Sequence, residues 1–75
     1  MPVKAGLKFR PDLIKKWRTE RGWSVDGFRD EMVKAGFKIS HQTILNYESG
    51  KYAPDAVMLT EMAMVLGVAA DEFWK

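Results

Sequence analysis

The stretch Ile39-Ser40-His41-Gln42-Thr43-Ile44-Leu45-Asn46-Tyr47-Glu48-Ser49-Gly50 restricts the folds open to this chain more than any other. Ser40 is a good N-cap, because its hydroxyl can accept from an amide of the first helical turn. Gly50 suits the position just past a helix end, because it enters the left-handed region without a Cβ clash. A short helix fits between them. Within it Ile44 and Tyr47 fall one turn apart and can face a core, which leaves His41, Gln42, Leu45, Asn46 and Ser49 turned outward.

The flanking segments read as further short helices. Pro11 suits a first turn, Asp12 complements the positive helix end, and Leu13, Ile14 and Trp17 form an apolar stripe before Gly22, with Lys15, Lys16 and Arg21 solvated. Trp23 precedes the cap Ser24, where it can staple onto the next helix. That second helix places Phe28, Met32 and Ala35 on one face before Gly36, with Gly27 in its first turn costing roughly 1 kcal/mol against Ala. Phe37 and Ile39 read as core pins. After an extended connector through Pro54, Asp55 caps a fourth helix in which Val57, Met58, Leu59, Met62, Ala63, Val65 and Leu66 are so apolar that it reads as central, its methionines as core filler. From about Ala70 a fifth short helix carries Asp71 and Glu72 at its positive end and Phe73 and Trp74 as core or interface groups. Residues 1–9 lack a period and read as a flexible arm; residues 10–75 read as one compact, all-α, five-helix domain.

Composition limits the function classes. At 75 residues a core must be dense to hold a fold, and three Trp, four Phe and five Met supply it. The absence of Cys excludes disulfides and thiolate sites, and a single His argues against a metal centre, so no cofactor is expected. No membrane span or signal-peptide core is visible, which leads to an expected cytoplasmic or nucleoid-associated location. Paired carboxylates and a glycine-rich phosphate loop are also missing in any convincing context, so the chain is not expected to be an enzyme. Through Lys51 there are 11 Lys and Arg against 6 Asp and Glu, whereas Lys75 alone faces four acids beyond it. That polarity can orient a domain in a phosphate field, although the same charges also solvate helix faces. A helix with an imidazole and amides at its exposed N-terminal end suits a DNA major groove, where Gln and Asn pair bidentately with adenine.

The ordered blocks Ser40-x-x-Thr43-Ile44-x-x-Tyr47-Glu48-x-Gly50-x-x-x-Pro54 and Ala63-x-x-Leu66-Gly67-Val68-x-x-Asp71-Glu72-Phe73 resemble the Cro and phage-repressor (XRE) type of helix-turn-helix, over about Phe9 to Trp74. The resemblance implies a lambda-repressor-like fold and double-stranded DNA as partner. It implies base contacts from His41, Gln42 and Asn46, and backbone contacts from Thr43, Ser49 and Lys51, with Lys38 added to that set. It also implies a partly buried, structural ion pair between Arg18 and Glu48. A homodimer on a pseudo-palindromic operator and a repressor's role complete the expectation. The chain departs from the family pattern in four places. Val25 stands where Gln is usual, Arg29 where a small residue is usual, and Leu45 where a polar one is usual. The turn before the reading helix, Val33 to Ile39, is long. Val25, Arg29 and the long turn feed the alternative, a protein-interaction module of antitoxin or adaptor type that keeps the fold but binds DNA weakly or not at all, whereas Leu45 could contact a thymine methyl. The structural reading of Arg18 and Glu48 outweighs a DNA-contacting one, because their mutual pairing accounts for both. An exposed His41 is often just a polar surface residue.

Overall fold

A computed structural model describes residues 8–74. Residues 1–7, most of the expected arm, and Lys75 lie outside the described residues. Helices α1 (Pro11–Glu20), α2 (Val25–Lys34), α3 (His41–Ser49) and α4 (Ala56–Leu66) precede a 3-10 turn at Ala70–Phe73. The expected fifth helix is therefore corrected to one 3-10 turn. It ends at Trp74, whose backbone is extended, and the Phe73 carbonyl accepts from the Arg10 amide at 2.8 Å, which ties the turn to the start of α1.

Side-chain caps start three of the helices. The hydroxyls of Ser24 and Ser40 accept from the amides of Gly27 and Thr43, and the Asp55 carboxylate accepts from that of Met58. Helix α1 instead begins with Pro11, which has no amide to satisfy, and an Arg10–Asp12 pair at 2.8 Å flanks it. The glycine in the first turn of α2 has a packing reason. A Cβ on Gly27 would meet the capping Ser24 hydroxyl at a tight 3.3 Å and the Trp23 Cβ at an ordinary 3.6 Å, so the cap crowds this position. Trp23 stacks on Phe28 with ring centroids 6.1 Å apart, the contact between N′ and N4 that fixes how the chain enters a helix.

The long turn takes a definite form. Helix α2 runs through Lys34 and closes when the amides of Gly36 and Phe37 donate to the carbonyls of Val33 and Met32, each at 2.9 Å. Gly36 adopts φ +91°, a conformation that L side chains rarely reach. Ala35, expected on the buried face, is instead the exposed end of this helix. From there Phe37 and Ile39, both half-buried, carry the chain to Ser40 along the core.

That core is one cluster of Ile14, Phe28, Met32, Ile44, Leu59, Met62, Ala63, Leu66 and Phe73, drawn from every element. Helix α4 is less central than its composition suggests. Leu59, Met62, Ala63 and Leu66 point inward, but Val57 and Met64 are 68% and 66% exposed. Met64 is therefore not core filler. At the other end Phe9 meets Trp74 edge to face, with centroids 5.6 Å apart, so the last residue of the expected arm packs on the domain. Trp17 is half-buried under Lys16 and Arg21, whose cations lie 5.1 and 5.8 Å from its ring. Among the described residues no helix is long and apolar enough to cross a membrane.

If the 3-10 turn is an integral part of the core, Phe73→Ala should cost about 3–5 kcal/mol, a large share of the total stability of a domain this small. Urea unfolding measures it. A loss under ~1 kcal/mol would show that this segment does not pack in solution.

Candidate nucleic-acid interface

Helix α3 is gripped from behind. Ile44 is buried in the common core, and Tyr47 is half-buried, with desolvation first and Asp55 second pushing its phenol pKa up. The stronger grip is ionic. Arg18 Nε and Nη2 donate to the two oxygens of Glu48 at 2.7 and 2.9 Å, and Nη1 donates to the Trp23 carbonyl at 2.8 Å. The side chains are only 8% and 7% exposed. One guanidinium thus joins α1, the α1–α2 turn and the last turn of α3. The bond to Glu48 raises the Arg18 pKa against the opposing effect of burial. Glu48 faces the negative end of its own helix dipole, and this cation offsets that repulsion.

The outer face carries the residues expected there. His41, Gln42, Leu45 and Ser49 are exposed, while Thr43 and Asn46 are half-buried. Short bonds fix most of them. Gln42 Nε2 donates to Asn46 Oδ1 at 3.1 Å, one turn along the helix. Ser49 donates its hydroxyl to the Asn46 carbonyl at 3.1 Å, and the hydroxyls of Ser40 and Thr43 are 2.8 Å apart. The Gln42–Asn46 bond uses one amide proton of Gln42 and leaves its carbonyl oxygen and a second N–H, the acceptor and donor that adenine requires. Lys38 and Lys51 are exposed at the two ends of the helix, Lys51 with its ammonium 5.5 Å from the Tyr52 ring.

One contact was not anticipated from the sequence. His41 Nδ1 lies 2.6 Å from Asp26 Oδ1 and so joins the first turns of α2 and α3. The bond to His41 is the largest influence on the Asp26 carboxyl and holds its pKa below the ordinary value; the charge of Arg29, 4.0 Å away, adds a smaller pull. The available signal was positional: a carboxylate two residues past the cap of one helix and a histidine directly past the cap of the next.

The departures from the usual pattern also find places. Val25 packs against the core instead of offering an amide. Arg29 turns outward to Asp30 on its own helix at 2.9 Å and does not wedge the helices apart. Among the described residues no group of three or more His, Asp or Glu could hold a metal ion.

A family model described as Helix-turn-helix matches residues 14–73. No curated protein and no solved structure gives a significant match.

Two outcomes test this geometry. Glu48→Ala should strand a buried guanidinium and cost about 3–5 kcal/mol in a denaturation experiment, with a neutral result meaning that the pair is solvated. The depressed pKa of Asp26 implies stability that is present above the ordinary aspartate value of about 3.9 and lost as pH falls through the lower folded value. Carbon-13 NMR of the Asp26 carboxyl should therefore titrate below that value in the wild type. A midpoint at or above it would show the contact with His41 to be absent in solution.

Proposed function

Because the chain belongs to the XRE-type helix-turn-helix family, we propose that it is a sequence-specific DNA-binding regulator that acts without catalysis, and specifically a repressor. The observation that carries this reading is the exposed N-terminal end of α3. It is capped by Ser40, furnished with His41, Gln42 and Asn46, and held from behind by Ile44 and the Arg18–Glu48 pair. In this reading those three side chains meet base edges, while Thr43, Ser49, Lys38 and Lys51 hold phosphates and set the register. Leu45, at the centre of the outer face, suits a thymine methyl. One such domain reads only a few base pairs. Two copies on half-sites about one helical turn apart multiply the affinity, which favours a homodimer on a pseudo-palindromic operator. A protein with this partner acts where the chromosome is.

The rival reading, a protein-interaction module, draws on the apolar surface around Phe37, Val57 and Met64 and on Val25 in place of a phosphate-contacting amide. Titration with duplex DNA at several salt concentrations separates the two. Binding whose logarithm falls linearly with log salt supports the regulator, and no binding at low salt supports the module.

Within the regulator reading, Gln42→Ala should relax preference at one operator position by about 1–3 kcal/mol and leave the fold intact. Lys38→Ala and Lys51→Ala should each lower the salt slope by about one and leave the preferred sequence unchanged. Selection of bound sites from a random duplex pool reads the first effect and salt titration reads the second. Unchanged selectivity in Gln42→Ala would remove Gln42 from the base-reading set.

A further inference from the structure

Resting on the DNA-binding reading, we propose that Asp26 fixes the proton of the His41 ring so that Nε2 meets a base edge as an acceptor. This selects an exocyclic amino group, adenine N6 or cytosine N4, and a second ring proton turns the same atom toward acceptor edges such as guanine N7 and O6 or thymine O4. The inference begins with the 2.6 Å contact between His41 Nδ1 and Asp26 Oδ1. An ionised carboxylate can only accept, so the proton in that bond belongs to Nδ1. A neutral imidazole carries a single proton, and Nε2 is then a bare acceptor at the far end of the ring. The His41 side chain is 45% exposed on the first residue of α3, beside Gln42. In the major groove adenine and cytosine present amino donors, whereas guanine presents the acceptors N7 and O6 and thymine presents O4. An acceptor at Nε2 therefore favours the first pair and rejects guanine.

Protonation reverses the sign. The imidazolium donates from both nitrogens, so Nδ1 keeps its bond to Asp26 while Nε2–H suits the acceptors guanine N7 or O6, thymine O4 and adenine N7, and no longer cytosine N4. The charged groups around the ring are few. On α2 they are Asp26, Arg29 at 4.0 Å from the same carboxylate oxygen, and Asp30, which Arg29 holds. On the connector Lys38 lies three residues before the ring, and on α3 the acid Glu48 is occupied by Arg18 of α1. Asp26 does not touch the base in this scheme; it is a positioning residue that acts through His41.

Two measurements on the full chain test the proposal. In the free protein at pH 8, nitrogen-15 NMR of the His41 ring should show Nδ1 protonated and Nε2 bare. A ring protonated at Nε2 would overturn the proposal whatever DNA does. Bound sites are then selected from a random duplex pool at pH 8 and pH 5 for the wild type, His41→Ala, Gln42→Ala and Asp26→Asn. The column that His41→Ala erases should favour adenine or cytosine at pH 8 by roughly two- to tenfold, the range of one neutral hydrogen bond, and at pH 5 should lose cytosine and gain guanine or thymine. The Gln42→Ala column should stay fixed. Asp26→Asn offers both a donor and an acceptor to Nδ1, so both tautomers form, and its His41 column should lose most of its discrimination at pH 8 while the others persist. A consensus whose His41 column ignores both pH and Asp26→Asn would overturn the proposal and leave the DNA reading standing. No consensus at either pH would remove the DNA reading, and the proposal with it.

Discussion

The hydrogen-bonded ion pair between Arg18 and Glu48 is the constraint on which the rest of the molecule depends. Burying two charges is expensive by several kcal/mol per ion unless geometry and further hydrogen bonds compensate. Here the carboxylate receives two of the guanidinium's donors and the Trp23 carbonyl a third. An apolar replacement of similar volume could match the pair in stability. It would not specify direction as well, because a planar fork accepts a carboxylate in few orientations. The pair links residues 30 apart in sequence and fixes the end of α3 against α1 and the turn behind it.

With that end fixed, the outer face of α3 is pre-arranged at its other end. Ser40 holds the first turn, Gln42 and Asn46 hold each other, and Asp26 holds His41. Immobilising a rotamer-rich side chain on binding costs about 0.5–1.5 kcal/mol. Side chains tied down before DNA arrives forgo part of that cost in the proposed complex. The same ties restrict which hydrogen-bonding edges face outward, so in the proposed complex pre-arrangement and selectivity would come from the same few bonds.

Much of this arrangement was legible in the sequence, because its signals are local. Ser24, Ser40 and Asp55 each start a helix through a bond three residues long, and the spacing of Ile44 and Tyr47 identifies the inner side of α3 without reference to other segments. Trp23 before Ser24 likewise marks its stack on Phe28. What was hidden depends on contacts between distant segments. The Asp26–His41 bond requires knowing how closely two first turns approach. The last segment is instead tied by its Phe73 carbonyl to the Arg10 amide, a partner far off in sequence. Helix α4 hid its faces for a different reason: apolar residues around most of its circumference leave no stripe, so Val57 and Met64 could not be told from Leu59 and Met62.

The acidic first turn of α2 completes the physical picture. Asp26 sits beside the proposed reading helix, where an unpaired carboxylate would repel phosphates and weaken binding to any duplex. Its partners change that balance. His41 donates to it and Arg29 lies 4.0 Å away, while Asp30 engages Arg29 from the other side. The carboxylate is thus engaged by groups of the protein itself, although its side chain stays 60% exposed. What α2 presents beside α3 is a structured hydrogen-bonding array, and long-range attraction falls to the basic residues elsewhere in the first part of the chain. In the proposed complex affinity and selectivity then reside on different residues, Lys38 and Lys51 for the first and the Asp26–His41 and Gln42–Asn46 pairs for the second, which would allow either to change with little effect on the other.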